Sequence, residues 1–469
     1  MPAKRPVRLV FNLTPSGIHD AAWKSQPAPA TLSTDIDALV ENARIAERGK
    51  LDAIFMPDGY GGLDLSDPPR RPWRALDPTV VFSAIAVATR NIGLIATVNS
   101  LYNAPYQVAR DIASLDHLSR GRAGWNVITS QKETALGILG LEGVFERDEK
   151  YERAEEFVSI VHQLWDSLPQ EAIVASGHTY VDASLTRPVD FAGRHFSSRG
   201  VSPVPPFEGN KPVIVQAGAS QQSKQFGARW ADALFTKHRT IESGQQFTAD
   251  VRAFAEAAGR QPDDVVIIPG LLPIIGSTEA EAWQIKRDLD AQLDLDYLRE
   301  ALAERLGVAA SSLVLDKPLP YDRIEIENAS PYDRQQRGNL VNEARLKGST
   351  THDVLLENFL AGHRVVIGAP EQVADDFERW IDARACDGFA FNVESNPRGI
   401  TSVVDGLVPE LVKRGRFRTE YEGTTFRSNL GVGAGSRAQR EVVGEASPYG
   451  LVSLGAIAQG AILPEEIVR

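Results

Sequence analysis

The polar residues at the ends of the short apolar runs are where this chain could do chemistry. Read in order, those ends present His19 with Trp23 four residues on, then Asp58 and Tyr60, then Thr97, Asn99 and Ser100. Asn126, Thr129 and Ser130 follow, and after them the segment QAGASQQS (216–223). Hydroxyls, amides and a single histidine dominate this set. It holds no GxSxG nucleophile motif and no paired carboxylates, and the sixth run, ADALFT (231–236), is read as ending without a lysine. Groups of this kind bind and orient a reagent that brings its own reactivity, as in proteins built around an organic cofactor.

Several of these residues carry two readings. Gly218 permits a tight turn, and Ser220 stands where an N-cap would, so the helix start after it offers free N–H groups to a phosphate. Ser220 also fits as a plain helix cap. Asp58 fits either an Asx-turn or a place in the site. Tyr151 opens a helix beside Arg147 and Lys150, either as part of an amphipathic surface or facing an anion. His19 either completes a structural hydrogen-bond set or shuttles a proton near neutral pH.

The elements that must position these groups alternate between β-rich runs and helical stretches, the pattern of a parallel sheet with crossover helices. The strand runs are 7–13, 51–58, 92–100, 122–130, 212–218, 231–236, 265–275 and 389–393. Helical periodicity fills 34–50, 77–90, 108–120, 151–165, 220–231, 241–258 and part of 400–414. Eight such units predict an α/β fold of the (β/α)8 TIM-barrel type, in which chemistry sits at the C-terminal strand ends. An open doubly wound sheet would show a Gly-rich turn after its first strand, and NLTPSGIH has no GxGxxG. The whole chain, 1–469, reads as one barrel domain with insertions at about 59–76, 170–210 and 293–365 and an extension over 415–469. The insertions are expected to act as lids or subunit surfaces. HTYVD and HFSSRG, within the second, suit a hairpin laid over the barrel, and the tail is expected to wrap the surface or a partner.

Composition narrows the function further. An apolar fraction of 43% and a charged fraction of 24% are those of a globular protein. No apolar run reaches the roughly eighteen residues of a membrane span, and a formal charge of −12 without a basic stretch argues against nucleic acid or a membrane as partner. The eight histidines include no HxxxH pair and none beside the lone Cys386, so no metal is expected. That single thiol and an N-terminus without an apolar export segment suit a cytoplasmic location.

Taken together, the blocks SRGRAGWNVITS (119–130), ERGKLDAIFMPDG (47–59), APYQVARDIASLDHLSRGR (104–122), YERAEEFV (151–158) and KPVIVQAGAS (211–220) resemble the bacterial-luciferase-like flavin monooxygenases. GAPEQVADDFERW (368–380) and VPELVKRGRFRTEYEGTTFRSNLGV (408–432) extend the resemblance. It is closest to the branch of nitrilotriacetate, EDTA and dibenzothiophene-sulfone monooxygenases. The resemblance implies noncovalent FMN, delivered as FMNH2 by a separate NAD(P)H:FMN reductase, with O2 as co-substrate. It further implies oxygenation of a small amine, sulfone or sulfonate through a C4a-peroxyflavin, and a homodimer or homotetramer. By position, Asp58, Thr97 and Asn126 match residues beside the isoalloxazine, and Tyr151, Ala219 and Ser220 match phosphate-side contacts. Arg147 stands where the family usually has histidine, and His19 matches the substrate-side acid or base. A deazaflavin-dependent oxidoreductase and a non-catalytic flavin-binding barrel are the alternatives.

Overall fold

The run GLIATVN is short, rich in branched residues and buried at every position from Gly93 to Asn99, as a strand covered on both faces must be. In the computed structural model, which describes residues 4–433 apart from 60, 62, 64–68, 70–71, 130–132, 142, 144, 327–330 and 358–362, it is one of eight parallel barrel strands. The first four are β1 (Arg8–Asn12), β2 (Ala53–Met56), β3 (Gly93–Asn99) and β4 (Ala123–Ile128). Two hairpins intervene, β5 (Ile173–Ser176) with β6 (Thr179–Val181) and β7 (Val189–Ala192) with β8 (Ser197–Gly200). The barrel resumes with β9 (Val213–Ala217), β10 (Ala233–Thr236) and β11 (Val266–Ile275), and β13 (Gly388–Phe391) closes it against β1. The eight runs read from sequence are these eight strands, the first seven trimmed by one to four residues and the last, read as 389–393, shifted to Gly388–Phe391.

A ninth strand went unread. β12 (Arg364–Gly368) lies parallel to the upper half of β11, from Leu271↔Arg364 to Ile275↔Gly368, while the lower half of β11 pairs with β10 and β13. Its residues are mostly half-buried, so RVVIG lacks the uniform apolar character that marks the barrel strands.

The helices of the first half are α1 (Ile36–Arg48), α2 (Pro78–Ala88), α3 (Pro105–Ser119), α4 (Glu133–Leu139) and α5 (Arg147–Ser167). Then come α6 (Gln221–Trp230), α7 (Ile241–Ala257) and α8 (Glu279–Asp290). The expected helical insertion is α9 (Leu295–Leu306), α10 (Pro331–Lys347) and α11 (Thr351–Glu357), packed around a core of its own that includes Leu302, Leu306, Val341 and Leu355. The chain returns through α12 (Pro370–Asp382), α13 (Arg398–Ser402) and α14 (Val408–Lys413) to α15 (Phe426–Leu430).

Two expectations need correction. HTYVD and HFSSRG do not pair with each other, since each forms a hairpin with its own upstream neighbour. The second of these hairpins lies along α5, where the Glu156 carboxylate accepts from the backbone N–H groups of Arg194, His195 and Phe196 at 2.8–2.9 Å. The tail, as far as Gly433, does not wrap the outside either. Phe426, Leu430 and Val432 join the apolar filling of the barrel interior beside Val10, Ile95 and Val215. Residues after 433 lie outside the described ones.

This tail closes the barrel floor. Arg427 forks onto Asp232 with bonds of 3.0 and 2.9 Å, and Arg418 pairs with Asp52. The same two aspartates accept the N–H groups that open neighbouring strands, Ile214 onto Asp232 at 2.8 Å and Leu9 onto Asp52 at 2.7 Å. Gly93 and Gly124 make room for the Phe426 ring, for a Cβ at Gly93 would fall 2.4 Å from it. Phe426→Ala should therefore destabilise the fold by about 3–5 kcal/mol, the usual cost of removing a fully buried aromatic. Urea unfolding of the variant checks this, and an unchanged midpoint would mean the floor is held elsewhere.

Candidate active site

The strand C-termini open onto a cavity of 1120 Å³. Ligand sites usually run to about 300–1,000 Å³, so this one has room for a cofactor and a second molecule together. Its walls come from Asn12, Phe55, Asp58, Thr97, Asn126, Ala217–Ala219, Phe235–Lys237, Gly270, Ala390 and Asn392. The segment after β2 (Leu63, Trp73, Arg74) and the start of the helical insertion (Leu293, Tyr297, Leu298, Ala301) roof it. No described residue of 170–210 lines the cavity, and the roof residues come from the other two insertions.

The structure brings most of the sequence-predicted residues to this one place. Thr97 and Asn126 sit opposite each other on β3 and β4, both buried, with Asn126 Nδ2 donating to Thr97 Oγ1 at 3.0 Å. Asp58 is half-buried on the wall, and Ala219 lines it from the turn after β9. Ser220 caps α6, accepting from the Ser223 N–H at 3.2 Å. Tyr151 lies outside the cavity lining, half-buried in the first turns of α5 with its ring 6.0 Å from that of Phe226. The starts of α5 and α6 are adjacent, joined by Gln222 donating to Asp148 at 3.3 Å. Asp148 and Glu149 already meet the positive end of the α5 dipole, whereas α6 has no acid in its first turn. The α6 start is thus the better seat for a phosphate. The Arg147 side chain, Tyr60 and Ser130 lie outside the described residues. Asn99 serves a turn instead, accepting from the Leu101 N–H at 2.7 Å.

His19 lines the cavity, yet its side chain is fully covered and both ring nitrogens are engaged. Nδ1 accepts from the Ala21 N–H at 3.1 Å, and Nε2 faces Asp290 at 3.1 Å, whose other oxygen holds Lys286 at 2.6 Å. This chain of contacts ties the loop after β1 to the end of α8.

Several wall residues escaped the reading, among them Asn12, Asn392, Lys237 and His363. Asn12 and Asn392 end β1 and follow β13, and Asn12 Nδ2 donates to Asn392 Oδ1. Lys237 follows Thr236 directly, so the sixth strand does deliver a lysine, one residue past the run in which none was found. His363 comes from the end of the helical insertion and lies against Gly270, where a Cβ would meet its ring at 2.3 Å. Nothing local in sequence marks His363. Burial, with Lys237 nearby, pushes its imidazole down to about 4, so it is neutral at pH 7.

Whether these walls suit a flavin can be asked of their buried polar atoms. Among the described residues, Asn12 Oδ1 and Asn126 Oδ1 have no hydrogen-bond partner. Two such buried atoms on one cavity wall are costly unless a ligand satisfies them, and a flat heteroaromatic ring with N–H and C=O edges is such a ligand. The residues fit the group.

Comparison with known proteins gives the wider context. The family model of luciferase-like monooxygenases matches residues 18–385. The chain belongs to the luciferase-like monooxygenase family. Members of this family are flavin-dependent monooxygenases that use reduced flavin with O2. Among relatives, the N-acetyl-S-(2-succino)cysteine monooxygenase of Bacillus subtilis (strain 168) is 38% identical over 92% of this chain and 97% of its own length. Nitrilotriacetate monooxygenase component A of Aminobacter aminovorans is 35% identical over 92% and 98%. The solved EDTA monooxygenase of Chelativorans sp. BNC1 superposes with a TM-score of 0.76 at 31% identity, covering 92% of this chain and 99% of that one.

The luciferase-like site carries a pH signature in its stability. His363 and His238 are both lowered from 6.5 to about 4. Between those values the unfolded chain takes up protons that the folded one refuses, so stability is complete above pH 6.5 and falls as pH drops toward 4. His363→Gln should flatten that acid loss, read as the urea midpoint at pH 7 and pH 5. An identical slope in the variant would mean that His363 titrates normally.

Proposed function

We propose that this enzyme receives reduced FMN from a separate NAD(P)H:FMN reductase and uses O2 to place one oxygen atom on a small organic substrate of the amine, sulfone or sulfonate type. The observation that carries the reading is the cavity wall itself. It combines orphaned hydrogen-bonding atoms with no cysteine among the described lining residues, and the ring nitrogens of His19 face the Ala21 N–H and Asp290. Reduced FMN, when bound, supplies the electrons that let one oxygen atom of O2 enter the product while the other leaves as water.

The protein's own contribution is positioning, shielding and proton placement. Asp58, Thr97 and Asn126 present a polar edge for the flavin ring. Ser220, the Ala219 N–H and Tyr151 receive the phosphate, with the Arg147 guanidinium available for a fork contact. Leu293, Tyr297, Leu298 and Trp73 roof the cavity with apolar surface, which limits the water reaching a reactive oxygen species. His19 serves as the substrate-side acid or base once its Nδ1 leaves the Ala21 N–H, with Asp290 orienting the ring through Nε2.

Anaerobic titration with chemically reduced FMN, followed by rapid mixing with oxygenated buffer, tests the whole reading. Tight binding and a reoxidation course distinct from that of free reduced FMN are expected, and failure to bind would end the flavin assignment. Ser220 gives a residue-level check. Ser220→Asp keeps an N-cap but sets a negative charge against the phosphate. It should raise the Kd for FMN at least tenfold, about 1.4 kcal/mol, with thermal stability unchanged. Wild-type affinity in that variant would leave Ser220 as a helix cap alone.

A further inference from the structure

The first hairpin of the 170–210 insertion has no part in the cavity, since none of residues 173–181 lines it. β5 and β6 form a sheet of two strands, with Ile173 opposite Val181 and Ser176 opposite Thr179. Two strands alone are marginally stable in water, and further strands or a packed face are what secure such a unit. Here every residue from Val174 to Val181 is exposed. Tyr180, at 72%, carries the most exposed aromatic side chain among the described residues, and Val174, Val181 and Leu185 add apolar surface around it.

The edges of this sheet also lack the devices that keep strand edges apart. Lysine, proline and inward-pointing charges serve that purpose in other sheets, and AIVASGHTYV (172–181) contains no lysine, no proline and no formal charge. The two edges differ in regularity. The register of β5 shifts between Ile173 and Ser176, where Ala175 has a φ of +42°, and a bulged edge is a poor template for pairing. β6 runs without such a break from Thr179 to Val181.

We propose that β6 pairs with β6 of a second copy of this chain about a two-fold axis at Tyr180, giving one four-stranded sheet across a dimer. A free edge calls for a strand, and a strand and its own two-fold copy are antiparallel without any further requirement. Charge favours a copy as well. At a net charge of −12 two copies repel each other over much of their surface, so an uncharged edge is where they can approach. An axis at Tyr180 sets Thr179 opposite the partner's Val181. One step further it sets His178 opposite the partner's Asp182, so the acid that follows the strand meets an imidazole instead of a second acid. The two Tyr180 side chains stand side by side, and aromatic cross-strand neighbours of this kind stabilise a sheet.

Light scattering and disulfide trapping test the interface. Wild-type protein at micromolar concentration should have the mass of an even-numbered assembly. Tyr180→Asp, which sets two carboxylates on the axis, should halve that mass while leaving the circular dichroism spectrum unchanged. Tyr180→Cys should form a covalent dimer on mild oxidation, because residues directly opposite on antiparallel strands have Cα atoms about 4.5–5.5 Å apart, within the span of a disulfide. Cys386 is buried and stays out of the reaction. Leu346→Cys, on α10 at a position 89% exposed, should not cross-link. A monomeric wild type would leave the edge to some other protein and overturn the pairing. A Tyr180→Asp variant of wild-type mass, or Tyr180→Cys cross-linking no faster than Leu346→Cys, would overturn it equally.

Discussion

The Arg427–Asp232 fork at the floor of the barrel is the contact on which the cavity at the other end depends. A closed sheet of eight parallel strands has interior positions that side chains must fill, and its strand starts have N–H groups that need acceptors. Asp232 and Asp52 answer both needs. Each accepts an N–H from a neighbouring strand start, and each holds an arginine of the C-terminal segment that drives Phe426 into the interior. With the lower half filled from below, the upper half stays free of bulky filling and remains a cavity. The blocks of the tail that resemble relatives so closely are therefore structural, and their chemistry is that of a plug.

Arg122, in the SRGRAGWN block, has the same character. Its guanidinium is buried and donates to the carbonyls of Ala86, Thr89 and Ile92, closing the end of α2 against the start of β3. Of the described residues of 119–130, only Asn126 and Ile128 line the cavity. A strongly patterned sequence motif thus marks a place where the backbone has few alternatives, and the reacting surface is a small part of it.

What was legible in the sequence follows from the range of the forces involved. The barrel strands and their helices announce themselves because burial on both faces demands continuous apolar runs, and helix faces repeat every three or four residues. Thr97, Asn126 and Asp58 were legible for a related reason, as polar residues ending apolar runs have few places to go but the mouth. His363 was not, because it reaches the cavity from the far end of a 70-residue excursion and no local pattern records that return. Lys237 was missed by a boundary of one residue, the scale on which strand ends are least defined. The hairpin error was one of register. HTYVD and HFSSRG each have strand character, but which run each pairs with is settled by turn geometry and by Glu156 on α5.

The roof raises a separate physical question, since it must keep water out while admitting a substrate. Its helices carry their own apolar core, distinct from the two cores of the barrel. Two of its ties to the barrel are polar and local. Lys24 donates to the Gln292 carbonyl at 2.5 Å just after α8, and Arg239 pairs with Glu343 of α10. Polar contacts of this kind each contribute on the order of 1 kcal/mol, far less than parting a continuous apolar seam would cost at about 25 cal/mol per Å². A roof folded on its own core and pinned at discrete points can shift as a body without exposing the barrel's interior.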